Sequence, residues 1–125
     1  MKKFIFFCAI YSFALLSKNL IAEESLSHKA HTVIVILEAK QGKENLLKEA
    51  LSKVAQLSRL EESCIEYHFY QDKENPVRFA LYEQWKSKEV HEKQFSKPYI
   101  IDFAKQAESW LDKPYDAIFG QEISL

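Results

Sequence analysis

The chain has 125 residues, with 17 Lys and Arg against 18 Asp and Glu, which gives a formal net charge of −1 at pH 7. This length is enough for one domain with one modest hydrophobic core. The sequence has two glycines, three prolines and 47% hydrophobic residues, which excludes collagen-like and disordered chains. It also lacks the basic surplus that binds phosphate backbones, so nucleic acid is not an expected partner.

The first 22 residues have the three parts of a signal peptide. Lys2 and Lys3 make a charged start, residues 4–16 carry no charge, and the small residue Ala22 ends the segment. The uncharged run has 13 residues, whereas a membrane-spanning helix takes roughly 20. We therefore expect cleavage after about Ala22 and export to the periplasm or the medium, with no stable membrane anchor. The predicted organisation is a signal peptide (1–22), a polar leader (23–31) and one domain (32–125).

The domain begins with a strand and a helix. Residues 32–39 (TVIVILEA) are rich in β-branched side chains and predict the first strand. Because successive side chains of a strand point to opposite faces, this strand presents apolar residues on both faces of its sheet. Residues 43–60 then predict an amphipathic helix. Its apolar stripe is Leu46, Leu47, Ala50, Leu51, Val54, Leu57 and Leu60.

The second half of the domain repeats the alternation of strands and helices. Residues 64–71 and 78–85 predict a hairpin joined by a turn-forming Asp-Lys-Glu-Asn-Pro cluster. Ser87 is expected to cap a second helix, which Pro98 breaks before residues 99–111. Residues 115–123 predict the last strand. The order is that of the ferredoxin-like α+β fold, β-α-β-β-α-β with a broken second helix and a four-stranded antiparallel sheet. Helices cover one face, so we expect the other to meet a second copy in a homodimer.

Three stretches resemble the antibiotic biosynthesis monooxygenase domain family. They are EESCIEYHFYQD at 61–72, FALYEQW at 79–85 and SKPYIIDF at 96–103, and the resemblance extends from Val33 to the C-terminus. It implies a homodimer whose sheets face each other and a pocket between each sheet and its broken helix. It also implies oxidation of quinols, anthrones or similar electron-rich aromatics by dioxygen, with neither metal nor flavin as cofactor.

Two residues are candidates for proton transfer. Glu83 shares a strand face with Leu81 and Trp85, where burial raises the pKa of a carboxyl group. Its alternative role is a structural pair with a tyrosine or an arginine. His68 is a candidate general base because histidine titrates near neutral pH. It alternates with Tyr67, so it can also face solvent or the dimer interface.

The resemblance also implies a set of substrate-binding residues. Gln94 and Tyr99 stand where the family often carries two histidines, and neither side chain is a base at neutral pH. His91 lies close to that site, but a solvated helix face is its favoured interpretation. Each aromatic residue can alternatively serve as plain core. The predicted substrate-binding residues are Tyr67, Tyr82, Trp85, His91, Gln94, Phe95, Tyr99 and Phe103.

The remaining reactive residues favour no metal or thiol chemistry. Cys8 leaves with the signal peptide, and Cys64 is expected to be a small buried residue without a disulfide partner. His91-Glu92 begins like the zinc-protease signature, but Phe95 stands where the second histidine is needed. We therefore expect no metal. The leading hypothesis is a cofactor-independent monooxygenase; the alternatives are a non-catalytic dimer that binds or senses a small ligand and, more weakly, a haem-binding protein that uses His91.

Overall fold

A computed structural model describes residues 30–125. The predicted signal peptide (1–22) and all but the end of the polar leader lie outside these residues. The elements are β1 (His31–Glu38), α1 (Glu44–Arg59), β2 (Cys64–Gln71), β3 (Arg78–Trp85), α2 (Lys88–Gln94), α3 (Pro98–Trp110) and β4 (Asp116–Gly120). Among residues 30–125, no helix is both long enough and apolar enough to cross a membrane.

The four strands form one antiparallel sheet in the order β2-β3-β1-β4. β1 lies in the middle and pairs with β3 along its whole length and with β4 from Thr32 to Ile36. Two helix-containing crossovers place all the helices on one side of the sheet. This is the predicted ferredoxin-like α+β fold, with the second helix divided as expected.

The core lies between the sheet and α1. Alternation along β1 turns Val33 and Leu37 toward the helices, where both are buried, while Ile34 is exposed on the other face. From α1, Leu47 and Leu51 contribute fully buried side chains. The two ends of the predicted stripe are exposed instead. Leu46 lies in the first turn of α1, and Leu60 follows its last turn.

The break between α2 and α3 determines how the helical layer covers the sheet. Ser87 caps α2, and its Oγ accepts a hydrogen bond of 3.3 Å from the backbone N–H of Val90. Pro98 begins α3, as is common at a first helical position, where no backbone donor is needed. The two short helices therefore take different directions across the sheet and leave space beneath their junction.

Two predicted boundaries differ from the structure. The polar leader ends at Ala30, because His31 already pairs with Trp85 as the first residue of β1. The last strand is shorter than 115–123, since only residues 116–120 find partners on β1. β2 and β3 have their predicted bounds, and the Asp72 Oδ1 atom accepts backbone hydrogen bonds from Glu74 and Asn75 in the turn between them.

Candidate functional site

A cavity of about 250 Å³ lies between the sheet and the helical layer, beneath the α2–α3 junction. Its walls are mostly aliphatic and aromatic. Phe95 and Phe119 line it although each exposes more than half of its surface, so the cavity opens to solvent beside them. An apolar cleft with a few polar groups is the usual form of a small-molecule site. Six of the ten predicted site residues line it: Tyr67, Glu83, His91, Gln94, Phe95 and Phe103.

Glu83 is the carboxylate of this cavity. It lies on β3 on the face that carries Leu81 and Trp85, as strand alternation predicts, and only 4% of its surface is exposed. The indole Nε1 of Trp85 donates a hydrogen bond of 2.8 Å to Glu83 Oε2. Trp85 is completely buried and lies outside the cavity wall, so its role is to orient the carboxylate and not to contact a ligand.

His91 lines the cavity beside Glu83. Its Nε2 atom lies 3.6 Å from Glu83 Oε2, slightly beyond hydrogen-bond length. The imidazole is enclosed by aromatic rings, with centroid distances of 5.6 Å to Trp85 and 5.1 Å to Phe95. The prediction that His91 lies on a solvated helix face is therefore wrong, because only 4% of the residue is exposed.

Burial shifts the proton equilibria of both groups toward their neutral forms. Desolvation, followed by the charge of His31, lowers the pKa of His91 to about 4. Desolvation raises the pKa of Glu83, while hydrogen bonds from Trp85 and Tyr67 oppose this change. At neutral pH the cavity thus presents an unprotonated imidazole beside a carboxyl group whose pKa is raised.

Comparison with known proteins shows the family to which this chain belongs. A family model described as Antibiotic biosynthesis monooxygenase matches residues 30–106, which is more than half of the chain. The chain belongs to the antibiotic biosynthesis monooxygenase family. The matched segment contains Glu83 and His91, together with the strands and helices that hold them.

Solved structures agree with this family fold. A protein from Pseudomonas aeruginosa superposes with a TM-score of 0.74 at 21% identity, covering 78% of this chain and 98% of that one. A conserved protein from Methanosarcina mazei gives 0.75 at 21% identity, covering 80% and 99%. A structure described as antibiotic biosynthesis monooxygenase gives 0.72 at 13% identity, covering 75% and 99%. At these identities the likeness concerns the fold.

One relative by sequence is the Synechocystis protein sll1783. It is 33% identical over 57 residues, or 46% of this chain. The match spans 39% of that protein's length, so the chain corresponds to less than half of the relative.

His68 and Tyr82 are not in the cavity of this family member. Both lie on the opposite face of the sheet, where their rings stack at 6.5 Å, and the His68 side chain is 47% exposed. The reason is strand alternation, since Tyr82 neighbours Glu83 and His68 neighbours Tyr67. The predicted roles of His68 as a base and of Tyr82 as a substrate ligand do not fit this placement.

Gln94 and Tyr99, which replace the family's usual histidines, belong to a polar network at the back of the cavity. The Gln94 amide Nε2 donates to Ser58 Oγ at 2.8 Å and to the Tyr99 hydroxyl at 3.3 Å. The Tyr99 hydroxyl in turn donates to Glu61 Oε1. Tyr99 does not line the cavity, so the structure gives it a part in joining α1 to α3 and not in contacting a ligand.

A Tyr99→Phe variant is expected to lose about 1 kcal/mol of unfolding free energy, because the hydroxyl that links Glu61 to Gln94 is removed. Urea denaturation would measure the change. Tyr115→Phe is the matched control, since Tyr115 is 55% exposed and its hydroxyl has no hydrogen-bond partner among the described residues, and it should change stability by less. Equal stability of the Tyr99 variant and the wild type would show that the network does not hold the helices together.

Cys64 is less buried than predicted. The thiol is partly buried, and burial followed by the charges of Glu83 and Glu61 raises its pKa to about 11. It is therefore protonated at neutral pH and a poor nucleophile. Within residues 30–125, no group of three or more His, Cys, Asp or Glu side chains is arranged to hold a metal ion.

Sequence reasoning missed two residues near the site. Ser58 is completely buried and accepts a hydrogen bond from Gln94. Its burial could have been predicted, because it stands one helical turn after Val54 on the apolar stripe of α1. His31 was assigned to the polar leader, but its ring lies 5.2 Å from that of His91. The only indication in the sequence was that His31 directly precedes the predicted first strand.

Proposed function

We propose that the protein is a cofactor-independent monooxygenase that oxidises a small, electron-rich aromatic such as a quinol or an anthrone. The observation that carries this proposal is the buried pair of Glu83 and His91 in an otherwise apolar cavity. Membership of the antibiotic biosynthesis monooxygenase family supports the general class of reaction.

In this proposal His91 is the base. The unprotonated Nε2 atom accepts a proton from the substrate, from a phenolic O–H of a quinol or from the C–H opposite the carbonyl of an anthrone. Glu83 stabilises the imidazolium that forms 3.6 Å away. The resulting substrate anion reduces dioxygen, and the two combine as a peroxide. When the O–O bond breaks, His91 returns its proton. One oxygen atom stays on the product and the other leaves as water with two hydrogens from the substrate, so no further reductant is needed.

The charges of the cavity lining favour uncharged ligands over anions. It contains two carboxylates, Glu83 and Glu108, and within residues 30–125 neither lysine nor arginine contributes to it. An anionic ligand would lose its hydration without gaining an opposite charge. The proposed substrates are therefore uncharged before deprotonation, with flat rings that fit between Phe95, Phe103 and the strands.

Dioxygen uptake with a panel of neutral phenols tests the function. We expect consumption above autoxidation for a hydroquinone or an anthrone, and at least about tenfold less for the same ring bearing a carboxylate, because the buried charge is unpaired. Thermal stabilisation by the neutral compounds without oxygen uptake would contradict catalysis and favour the alternative of a binding or sensing protein.

We further propose that the protein is a homodimer formed through the open face of its sheet. In one row across that face lie His68, Tyr82, Ile34 and Ile118, with Tyr70 beside them. Ile118 is 64% exposed in the single chain and Tyr70 is 59% exposed. An apolar face of this kind is the usual sign of a protein contact.

Light scattering is expected to give the mass of a dimer at micromolar concentration, and Ile118→Lys is expected to give a monomer because the charge would be buried at the interface. Leu60→Lys is the control, since Leu60 is exposed after the last turn of α1 and far from the open face. A monomeric wild type would contradict the proposed interface.

A further inference from the structure

His31 has an unusual position behind the candidate base. It begins β1 opposite Trp85, stacks on Phe119 with an interplanar angle of 11°, and places its ring 5.2 Å from that of His91. It does not line the cavity. Its Nε2 atom is buried, and no residue of the described chain hydrogen-bonds to it.

The two imidazoles cannot easily be charged together. Like charges at this separation repel strongly where little water lies between them. The other titratable groups that face the pair are Glu83 from β3 and Glu92 and Glu89 from α2.

We propose that His31 is a positioning residue for His91, and that the two imidazoles form a coupled pair in which a proton on one ring disfavours a proton on the other. His31 packs against the His91 ring, and its positive charge opposes protonation of His91. This extends the proposed function, because a protonated His91 could not accept the substrate proton. The coupling between the two rings does not require a bound substrate, so it can be tested on the ligand-free protein.

The pKa of His91, lowered to about 4, supports the coupling, since the charge of His31 is the second cause of that shift after burial. The aromatic contacts provide the geometric part of the argument. With Phe119 on one side and His91 on the other, the His31 ring has little room to turn.

Nuclear magnetic resonance titration of the histidine ring protons tests this proposal on the ligand-free protein, so its outcome is independent of turnover. In His31→Phe, which preserves a ring between Phe119 and His91, the midpoint of the His91 titration is expected to rise by about half a pH unit or more. His68→Phe, the same substitution on the opposite sheet face, should leave that midpoint unchanged.

Two further measurements keep the proposal testable if His31→Phe does not fold. His31→Asn removes the charge with a smaller side chain and should raise the same midpoint. In the wild type, the His91 signals should show a second inflection over the pH range in which His31 titrates. Identical His91 midpoints in the wild type and a folded His31 variant, or the absence of that second inflection, would overturn the coupling.

Discussion

A His91→Gln variant is expected to lose dioxygen uptake by a factor of about 100 or more, since positioned general bases contribute rate factors of this size. Glutamine is similar in length to histidine and can still donate a hydrogen bond toward Glu83, but its amide cannot accept and hold a proton. The loss should appear with every neutral substrate that the wild type oxidises. It should appear mainly in kcat, because the cavity walls that bind the ring are unchanged.

The matched control for this variant is His68→Gln. It makes the same chemical change on the opposite face of the sheet, away from the cavity lining, where the side chain is 47% exposed in the single chain. Because His68 lies in the proposed dimer interface, light scattering first checks that the variant has the mass of the wild type. We expect it to keep the wild-type rate. Retention of the wild-type rate by a correctly folded His91→Gln protein would remove His91 from the proposed chemistry.

The contribution of His91 to the stability of the folded protein is expected to decrease by about 2 kcal/mol as the pH falls from 6.5 to 4. The pKa of His91 is lowered from 6.5 to about 4 in the folded state. Over this range the unfolded chain binds a proton that the folded protein does not, so acid favours unfolding. Above pH 6.5 neither state is protonated and the contribution of His91 is fully present.

Glu83 acts in the opposite direction, because its pKa is raised by burial. The folded protein binds its proton more readily than the unfolded chain does, so acidification relieves part of the cost of burying this carboxylate. Urea denaturation of the wild type and of His91→Gln at several pH values separates the two effects. The variant should lose less stability on acidification, and equal pH profiles for the two proteins would contradict the assigned protonation state of His91.

Periodicity in the sequence was sufficient to predict the fold. The turn-forming cluster at residues 72–76 separated β2 from β3, and alternation placed Glu83 on the same face as Leu81 and Trp85. The same rule places Tyr82 on the opposite face, next to His68. His68 was placed in the site because histidine titrates near neutral pH, and Tyr82 because it is an aromatic residue of the YEQW stretch. The strand pattern was the better guide to both.

The surroundings of His91 could not be predicted in the same way. α2 has only seven residues, and its burial depends on the direction that α3 takes after Pro98, which no local pattern specifies. His31 meets His91 only because β1 and α2 come together in the folded chain. Ser58 stands on the buried stripe of α1, but its use became evident only when Gln94 was found to hydrogen-bond to it.

In the proposed function, the cavity directs one atom of dioxygen into an aromatic substrate. Mass spectrometry of the product that the purified protein forms from an anthrone under isotopically labelled dioxygen tests this step. We expect one labelled oxygen atom in each product molecule, with the other recovered in water, and loss of this incorporation in His91→Gln. Product that carries only oxygen from the solvent, or labelled product formed equally fast without the protein, would contradict it.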